Sequence, residues 1–256
     1  MKNLVIHPTP TTPFILGNFS NGDICIIGKS TPDKIVDIAK PLEEWIREFI
    51  ELSDKALTLY IDLCYYDTPT SLTLTGIFSM INRQQGNKQS EVYWYYYSDD
   101  DDMMENGEDY KDMSKFPFAL IENEKPITVN IKKTDISPLI YLDDTGDFII
   151  QGVSNTDEPL LFYRPIIRWL SEELIIPTLR NISLEICLHN IASGNIPFVQ
   201  AIIHLVDALH QNGTKTSIQW NYADKETEEL GIQILTNLTS HYVFKHLTNR
   251  EYQQNK

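Results

Sequence analysis

The chain has 256 residues, 42% of them hydrophobic and 22% charged, the make-up of a soluble globular protein with mass for one large domain or two ordinary ones. Its net charge of −15, with Lys and Arg scattered, excludes a nucleic-acid backbone or an anionic membrane as the expected partner surface and leaves protein. No long apolar segment opens the chain as in a signal peptide, and no stretch approaches the ~18 apolar residues of a membrane span, so a cytoplasmic protein is expected.

In chain order, Phe14 to Leu16 and Asp23 to Ile27 read as two short strands around Asn18-Phe19-Ser20-Asn21-Gly22, whose Asn-Gly pair signals a hairpin-type turn. Thr31-Pro32-Asp33 predicts a helix start, with Thr31 as N-cap, Pro32 at the first helical position and Asp33 set against the dipole. The stripe that follows, Ile35, Ile38, Leu42, Trp45, Ile46 and Phe49, has helical spacing. Leu57 to Tyr65 reads as a strand and Thr70 to Gln85 as a helix striped by Leu74, Ile77, Phe78 and Ile81. Glu91 to Tyr96 is then a strand, Asp100 to Met113 a shorter acidic helix, and Phe116 to Ile121 the closing strand.

The second half repeats the first. Thr12-Pro13-Phe14-Ile15 recurs as Ser137-Pro138-Leu139-Ile140, and Gly22-Asp23, four apolar residues and Gly28 recur as Gly146-Asp147 through Gly152. Pro41 and Trp45 recur as Pro165 and Trp169, and Trp94, Tyr96 and Phe118 as Trp220, Tyr222 and Phe244. Matching by identity also sets Cys64 on Cys187 and Asp67 on Asn190. Landmarks in register across a whole unit imply a tandem duplication, with copies at 1–122 and 127–248 and a polar join at Glu122-Asn123-Glu124-Lys125-Pro126. A helix of the second copy is striped by Phe198, Ile202, Leu205, Val206 and Leu209. Strands alternating with helices predict an α/β fold: two tandem copies of a mixed β-sheet flanked by helices.

Catalytic and metal-binding patterns are thin. There is no glycine-rich phosphate loop, no HExxH and no GxSxG, so neither catalytic residues nor a cofactor are expected. Cys25, Cys64 and Cys187 lie far apart in apolar runs and read as buried thiols. His204 and His210 are six residues apart and face different sides of a helix. The acidic run Asp99 to Asp102 fails as a calcium loop, because Met113 falls where the twelfth-position Glu is required. Capping and a solvated face are expected there, and no metal. In the aromatic strand Tyr93 to Tyr97, Trp94 is expected in the core, while Tyr95, replaced by Asn221 in the second copy, is expected to point outward as a partner contact.

The turn Tyr65-Tyr66-Asp67-Thr68-Pro69-Thr70-Ser71 lies between a buried strand and a helix start. With Thr68 as N-cap and Pro69 at the first helical position, it is an ordinary helix cap contributing roughly 1 kcal/mol. The free N–H groups of a helix start also suit a phosphate, which would add about −1.5 to −2 charges to this turn, opposed by Asp67. A partner docking here would meet Tyr66, Asp67, Thr70 and Ser71.

These motifs, in this order, resemble the SiaC family of bacterial regulatory phosphoproteins. The resemblance is carried by Asp67-Thr68-Pro69-Thr70-Ser71, Trp94-Tyr95-Tyr96, Asp99 to Asp102, Gly107-Glu108-Asp109-Tyr110 and Phe116-Pro117-Phe118, with the Thr12-Pro13 start and the Pro41 to Trp45 helix. It implies a partner switch with logic like that of STAS-type antagonists. In such a switch a cognate protein kinase phosphorylates the turn threonine, here Thr68, and a PP2C-like phosphatase reverses it. The unphosphorylated form binds and activates a diguanylate cyclase, linking it to cyclic-di-GMP signalling and biofilm formation. Pro69 departs from the family's small hydroxyl residue, so a protein-interaction scaffold with a decayed phosphosite is the alternative. In the second copy Asn190-Ile191-Ala192-Ser193 sets Ile191 where Thr68 stands, and no phosphosite is expected there.

Overall fold

The computed structural model describes residues 2–83, 90–125, 129–143, 145–236 and 238–248. The predicted helix end at Gln85, the Pro126 side of the join and the first residues of the second copy lie outside them. Two compact units form, Met1–Lys125 and Pro126–Lys256. In the first, β1 (Leu4–Ile6), β2 (Phe14–Asn18) and β3 (Asp23–Ser30) precede α1 (Val36–Leu52), β4 (Thr58–Tyr66), α2 (Thr68–Asn82), β5 (Glu91–Tyr97), α3 (Asp101–Met113) and β6 (Phe118–Asn123). The strands lie in chain order, β1-β2-β3-β4-β5-β6, antiparallel up to β3 and parallel from there. Each parallel step is a strand–helix–strand crossover, as parallel pairing requires.

The second unit has the same plan, with β7 (Val129–Ile131), β8 (Leu139–Leu142), β9 (Asp147–Ser154), α4 (Pro159–Glu172), β10 (Asn181–Ile191), α5 (Ile196–Gln211), β11 (Lys215–Tyr222), α6 (Lys225–Ile234) and β12 (His241–His246). Its sheet runs β7 to β12 in chain order, with the same change from antiparallel to parallel at β9. Among the described residues the fold is α/β, two mixed six-stranded sheets each flanked by three helices.

One apolar cluster in unit one joins alternate residues of the sheet (Ile24, Ile26, Leu59, Ile61, Leu63, Trp94) to the predicted stripe of α2, to that of α1 without Ile35, which precedes the helix, and to Met103 and Tyr110 of α3. The duplication extends to backbone demands. Gly22 and Gly146 both adopt positive φ, +89° and +90°, where a Cβ would strike the carbonyl oxygens of Ala56 and Asn181. Gly107 and Gly231 let α3 and α6 approach Trp94 and Trp220, whose indole N–H groups donate to the Met103 and Thr227 carbonyls at 2.9 Å.

One predicted boundary fails. Helix α1 begins at Val36, not at Thr31-Pro32. The Thr31 amide donates to the Thr11 carbonyl at 2.8 Å, and a residue before proline favours extended backbone, so the strand path continues past Ser30. The three-residue strands β1 and β7 were not foreseen at all. The acidic run behaves as a cap. Asp100 accepts the Met103 amide at 3.0 Å, and Asp101 and Asp102 occupy the first turn of α3. Among the described residues no cluster of His, Cys, Asp and Glu has the arrangement of a metal site, and no helix is long and apolar enough to cross a membrane.

The β4–α2 turn and its counterpart in the second unit

Strand β4 delivers the turn with a bulge: Gly28 pairs with Leu63 but Lys29 pairs with Tyr65, leaving Cys64 out of register. Ser30 then pairs with Tyr66, and the Asp67 amide donates to the Ser30 carbonyl at 3.1 Å. Asp67, in extended backbone, is the N-cap of α2. Its Oδ1 accepts both the Thr70 amide, 3.0 Å, and the Thr70 hydroxyl, 2.7 Å. The expectation that Thr68 caps this helix is therefore corrected: Thr68 is the first helical residue and Pro69 the second. A carboxylate reaches the third-position amide with charge assistance, so Asp outcompetes Thr for the cap.

This leaves the hydroxyls of the turn in different situations. Thr70 is 6% exposed and also meets the Ser30 hydroxyl at 2.9 Å, so it holds the helix start to β3. Ser71 meets the Tyr110 hydroxyl of α3 at 2.8 Å. Tyr66 packs edge-on against Trp94, and burial, followed by the neighbouring Tyr110, pushes its hydroxyl pKa up. Thr68 is exposed, and among the described residues no hydrogen bond uses its hydroxyl. Beside it Tyr65 and Leu72 are 53% and 68% exposed, Leu72 one helical turn on.

Four of the predicted partner contacts, Tyr66, Asp67, Thr70 and Ser71, thus gather around Thr68, though Thr70 is held inside the fold. Tyr95 does not join them. It lies on the opposite side of β5 from Trp94 and is only 6% exposed, so its expected outward orientation is overturned. That side of the sheet also carries the stacked Tyr60 and Tyr93 rings, and burial, then Asp23 and Tyr95, push the Tyr60 pKa up. Asn221 is buried as well, held by its bond to Glu185, so the Tyr-to-Asn change exchanges one buried residue for another. Ser30 and Tyr110 are the members of the site that sequence reasoning missed. The recurrence of Ser30 as Ser154 was the available signal.

Strand pairing also corrects the alignment of the two turns. In unit two Gly152 pairs with Leu188, Val153 with Asn190 and Ser154 with Ile191, with His189 left out of register. The Ala192 amide donates to the Ser154 carbonyl at 2.9 Å, as Asp67 does to Ser30. Ile191 therefore stands at the position of Tyr66, and Ser193 at that of Thr68. Asn195 stands at the position of Thr70, buried, with its Oδ1 3.3 Å from the Ser154 hydroxyl. Residues 61–70 and 186–195 share the same sequence of buried, half-buried and exposed positions, residue for residue. Identity matching of Cys64 with Cys187 was two residues out of step with this pairing.

The model of the SiaC family regulatory phosphoproteins matches residues 6–123 and 131–246. An uncharacterized protein of Pseudomonas aeruginosa (strain UCBPP-PA14) is 25% identical over 121 residues, 47% of this chain and 96% of that protein. Among solved structures, apo-SiaC from Pseudomonas aeruginosa is similar at 25% identity, covering 47% of this chain and 99% of its own, with a TM-score of 0.45. The diguanylate cyclase SiaD in complex with its activator SiaC, from the same organism, is similar at 24% identity, with the same coverage and a TM-score of 0.46.

Proposed function

Because the chain belongs to the SiaC family of regulatory phosphoproteins, matched over both of its units, we propose that it is a non-enzymatic cytoplasmic adaptor in a partner-switching pathway. The switch is phosphorylation of Thr68. Its partners are a cognate protein kinase, a PP2C-like phosphatase and an output protein, for which a diguanylate cyclase is the natural choice, since SiaC of Pseudomonas aeruginosa is the activator of one. The observation that carries the reading is the contrast among the turn hydroxyls. Thr70 and Ser71 are bonded into the fold, while Thr68 is exposed and unengaged beside Tyr65 and Leu72.

The physics of the switch follows from that arrangement. Tyr65 and Leu72 supply exposed apolar surface that a partner can cover. A phosphate on Thr68, adjacent in the chain to Asp67, would add charge to this exposed turn and would be stripped of water by any partner burying it. The unphosphorylated form binds and the phosphorylated form is released. Pro69, at the second helical position, has no amide to lose there, so it stiffens the turn without weakening the helix.

The test is capture of the diguanylate cyclase by wild type, Thr68→Ala and Thr68→Asp. Thr68→Asp is expected to lose at least about tenfold in affinity, roughly 1.4 kcal/mol, with thermal stability changed by less than about 1 kcal/mol because the site is on the surface. Thr68→Ala should bind like wild type. Equal capture by all three proteins would remove the switch and leave a constitutive scaffold whose phosphosite has decayed.

A further inference from the structure

We propose that Ser193 is a second phosphorylation site, so that the second unit carries its own mark. The inference rests on the reading of Thr68 as a phosphorylated residue and extends it to a position that matching by identity assigns to Ile191.

The strand register puts Ser193 three residues beyond the bulged pairing that Asn190 and Val153 share with Tyr65 and Lys29. The inner frame is kept: Ser154 and Asn195 replace Ser30 and Thr70 as the buried pair that ties the turn to the neighbouring strand. The Asn195 side chain is also anchored by donation to the Thr156 carbonyl at 3.1 Å. Ser193 itself is exposed, like Thr68, and among the described residues no hydrogen bond uses its hydroxyl.

The two substitutions flanking it favour modification. Ala192 stands where Asp67 does, so the carboxylate that opposes a phosphate on Thr68 has no counterpart beside Ser193. Gly194 stands where Pro69 does, and with Ala192 unable to cap, α5 starts only at Ile196. The acceptor therefore lies in a non-helical turn, and a kinase can draw it into its cleft without unwinding the helix. The reaction is ordinary phosphoryl transfer from a nucleoside triphosphate held by the kinase. The Ser193 Oγ attacks the γ-phosphorus and gives its proton to the kinase's base. The Oγ–P bond forms as the bond from the γ-phosphorus to the β,γ-bridging oxygen breaks, and the nucleoside diphosphate leaves.

The full-length protein, as wild type, Thr68→Ala, Ser193→Ala and the double variant, is isolated from its own host cells with phosphatase inhibitors present. Phosphosites are mapped by phosphate-affinity electrophoresis and tandem mass spectrometry. The expected result is phosphate on both residues of the wild type, on the remaining residue in each single variant, and on neither position in the double variant. Phosphate on Thr68 with none on Ser193, in wild type and single variants alike, overturns this inference and leaves the Thr68 switch standing. Phosphate on Ser193 and never on Thr68 does the reverse. Phosphate at neither residue overturns both. Because both side chains are exposed and unengaged, the variants should melt like wild type, and circular dichroism melting checks that they do.

Discussion

Replacing Asp67 by Ala should cost unit one about 1.5–2.5 kcal/mol and shorten α2 at its start. The carboxylate does two things through one oxygen: it accepts the Thr70 amide at 3.0 Å and the Thr70 hydroxyl at 2.7 Å. Loss of an N-cap side chain costs about 1 kcal/mol, and loss of a charge-assisted bond to a hydroxyl adds roughly another. The total stays modest because the buried Thr70 hydroxyl keeps the Ser30 hydroxyl at 2.9 Å and is not orphaned. The second unit already shows the outcome. With Ala192 in the capping position, α5 starts at Ile196, which matches Ser71 rather than Thr68. Asp67→Ala is thus expected to release the first turn of α2 while Leu74, Ile77 and Phe78 stay packed. Because the chain has two compact units, amide hydrogen exchange read peptide by peptide is the appropriate assay. Amides of residues 70–72 should exchange tenfold or more faster, and denaturant unfolding of unit one should shift by the stated amount. Asp67→Asn keeps an acceptor and should lose less than half as much. If Asp67→Ala changes stability by under 0.3 kcal/mol and leaves that exchange unaltered, the capping account is wrong.

Helical glycines should respond to alanine in opposite ways. At Gly107 a Cβ would lie 2.6 Å from both Leu120 Cδ2 and Trp94 Cδ1, so Gly107→Ala should destabilise by about 1–3 kcal/mol despite the better helix propensity, and Gly231→Ala likewise against Trp220. Gly76, with only the Glu43 Oε1 at 3.9 Å, should gain about 0.5–1 kcal/mol on the same change; urea unfolding of the three variants checks the signs. In unit two the buried Asp207 carboxylate accepts the amides and hydroxyls of both Thr239 and Ser240 at 2.6–2.9 Å. Burial pushes its pKa up, but those bonds outweigh it and leave the pKa below the usual carboxylate value. Asp207→Ala should cost about 2–4 kcal/mol at pH 7, since the buried Ser240 amide and hydroxyl and the part-buried Thr239 pair lose their acceptor. A depressed folded pKa means this stabilisation is complete above the unfolded value near ~3.9 and fades as pH falls through the folded one. The gap between wild type and variant, measured in urea, should therefore narrow below pH 4; a gap that widens there would contradict the assignment.

Much of this architecture could be read from residue spacing. The stripes of α1, α2 and α5, the hairpin at Asn21-Gly22 and the doubled landmarks all encode local periodicity or turn chemistry, which a chain carries in its letters. What stayed illegible depends on partners distant in sequence. Thr31 has the letters of an N-cap, but its amide is claimed by Thr11. Leu4–Ile6 is a strand only because β2 lies beside it, and three residues are too few to show a period. Tyr95 was placed outward from a single substitution, whereas alternation along β5 and the crowding of its face decide its burial. The turn alignment failed in the most instructive way. Cys64 and Cys187 are identical residues at different places: Cys64 sits in the bulge, while Cys187 pairs with Gln151 two residues before it. Hydrogen-bonding register, not identity, is what makes two positions equivalent.

The corrected register separates what the duplication preserved from what it let go. The buried elements of the turn persist in kind: a serine at the end of the third strand, a polar residue at the Thr70 position bonded to it, and the bulge that aims both. The residues around the hydroxyl differ, with Tyr65 against Asn190, Asp67 against Ala192, Pro69 against Gly194 and Leu72 against Pro197. The frame is buried in both units, where Ser30 and Thr70, and Ser154 with Asn195 and Tyr163, satisfy one another's hydrogen bonds. The outer surface has no such constraint and is free to follow a partner. A protein that grips Tyr65 and Leu72 finds no equivalent grip on the second unit, whereas a kinase needs only an exposed hydroxyl in a pliant turn, and Ser193 meets that demand with less electrostatic opposition than Thr68. Docking and marking therefore need not coincide: in the proposed scheme unit one does both, and unit two retains the mark without the apolar grip.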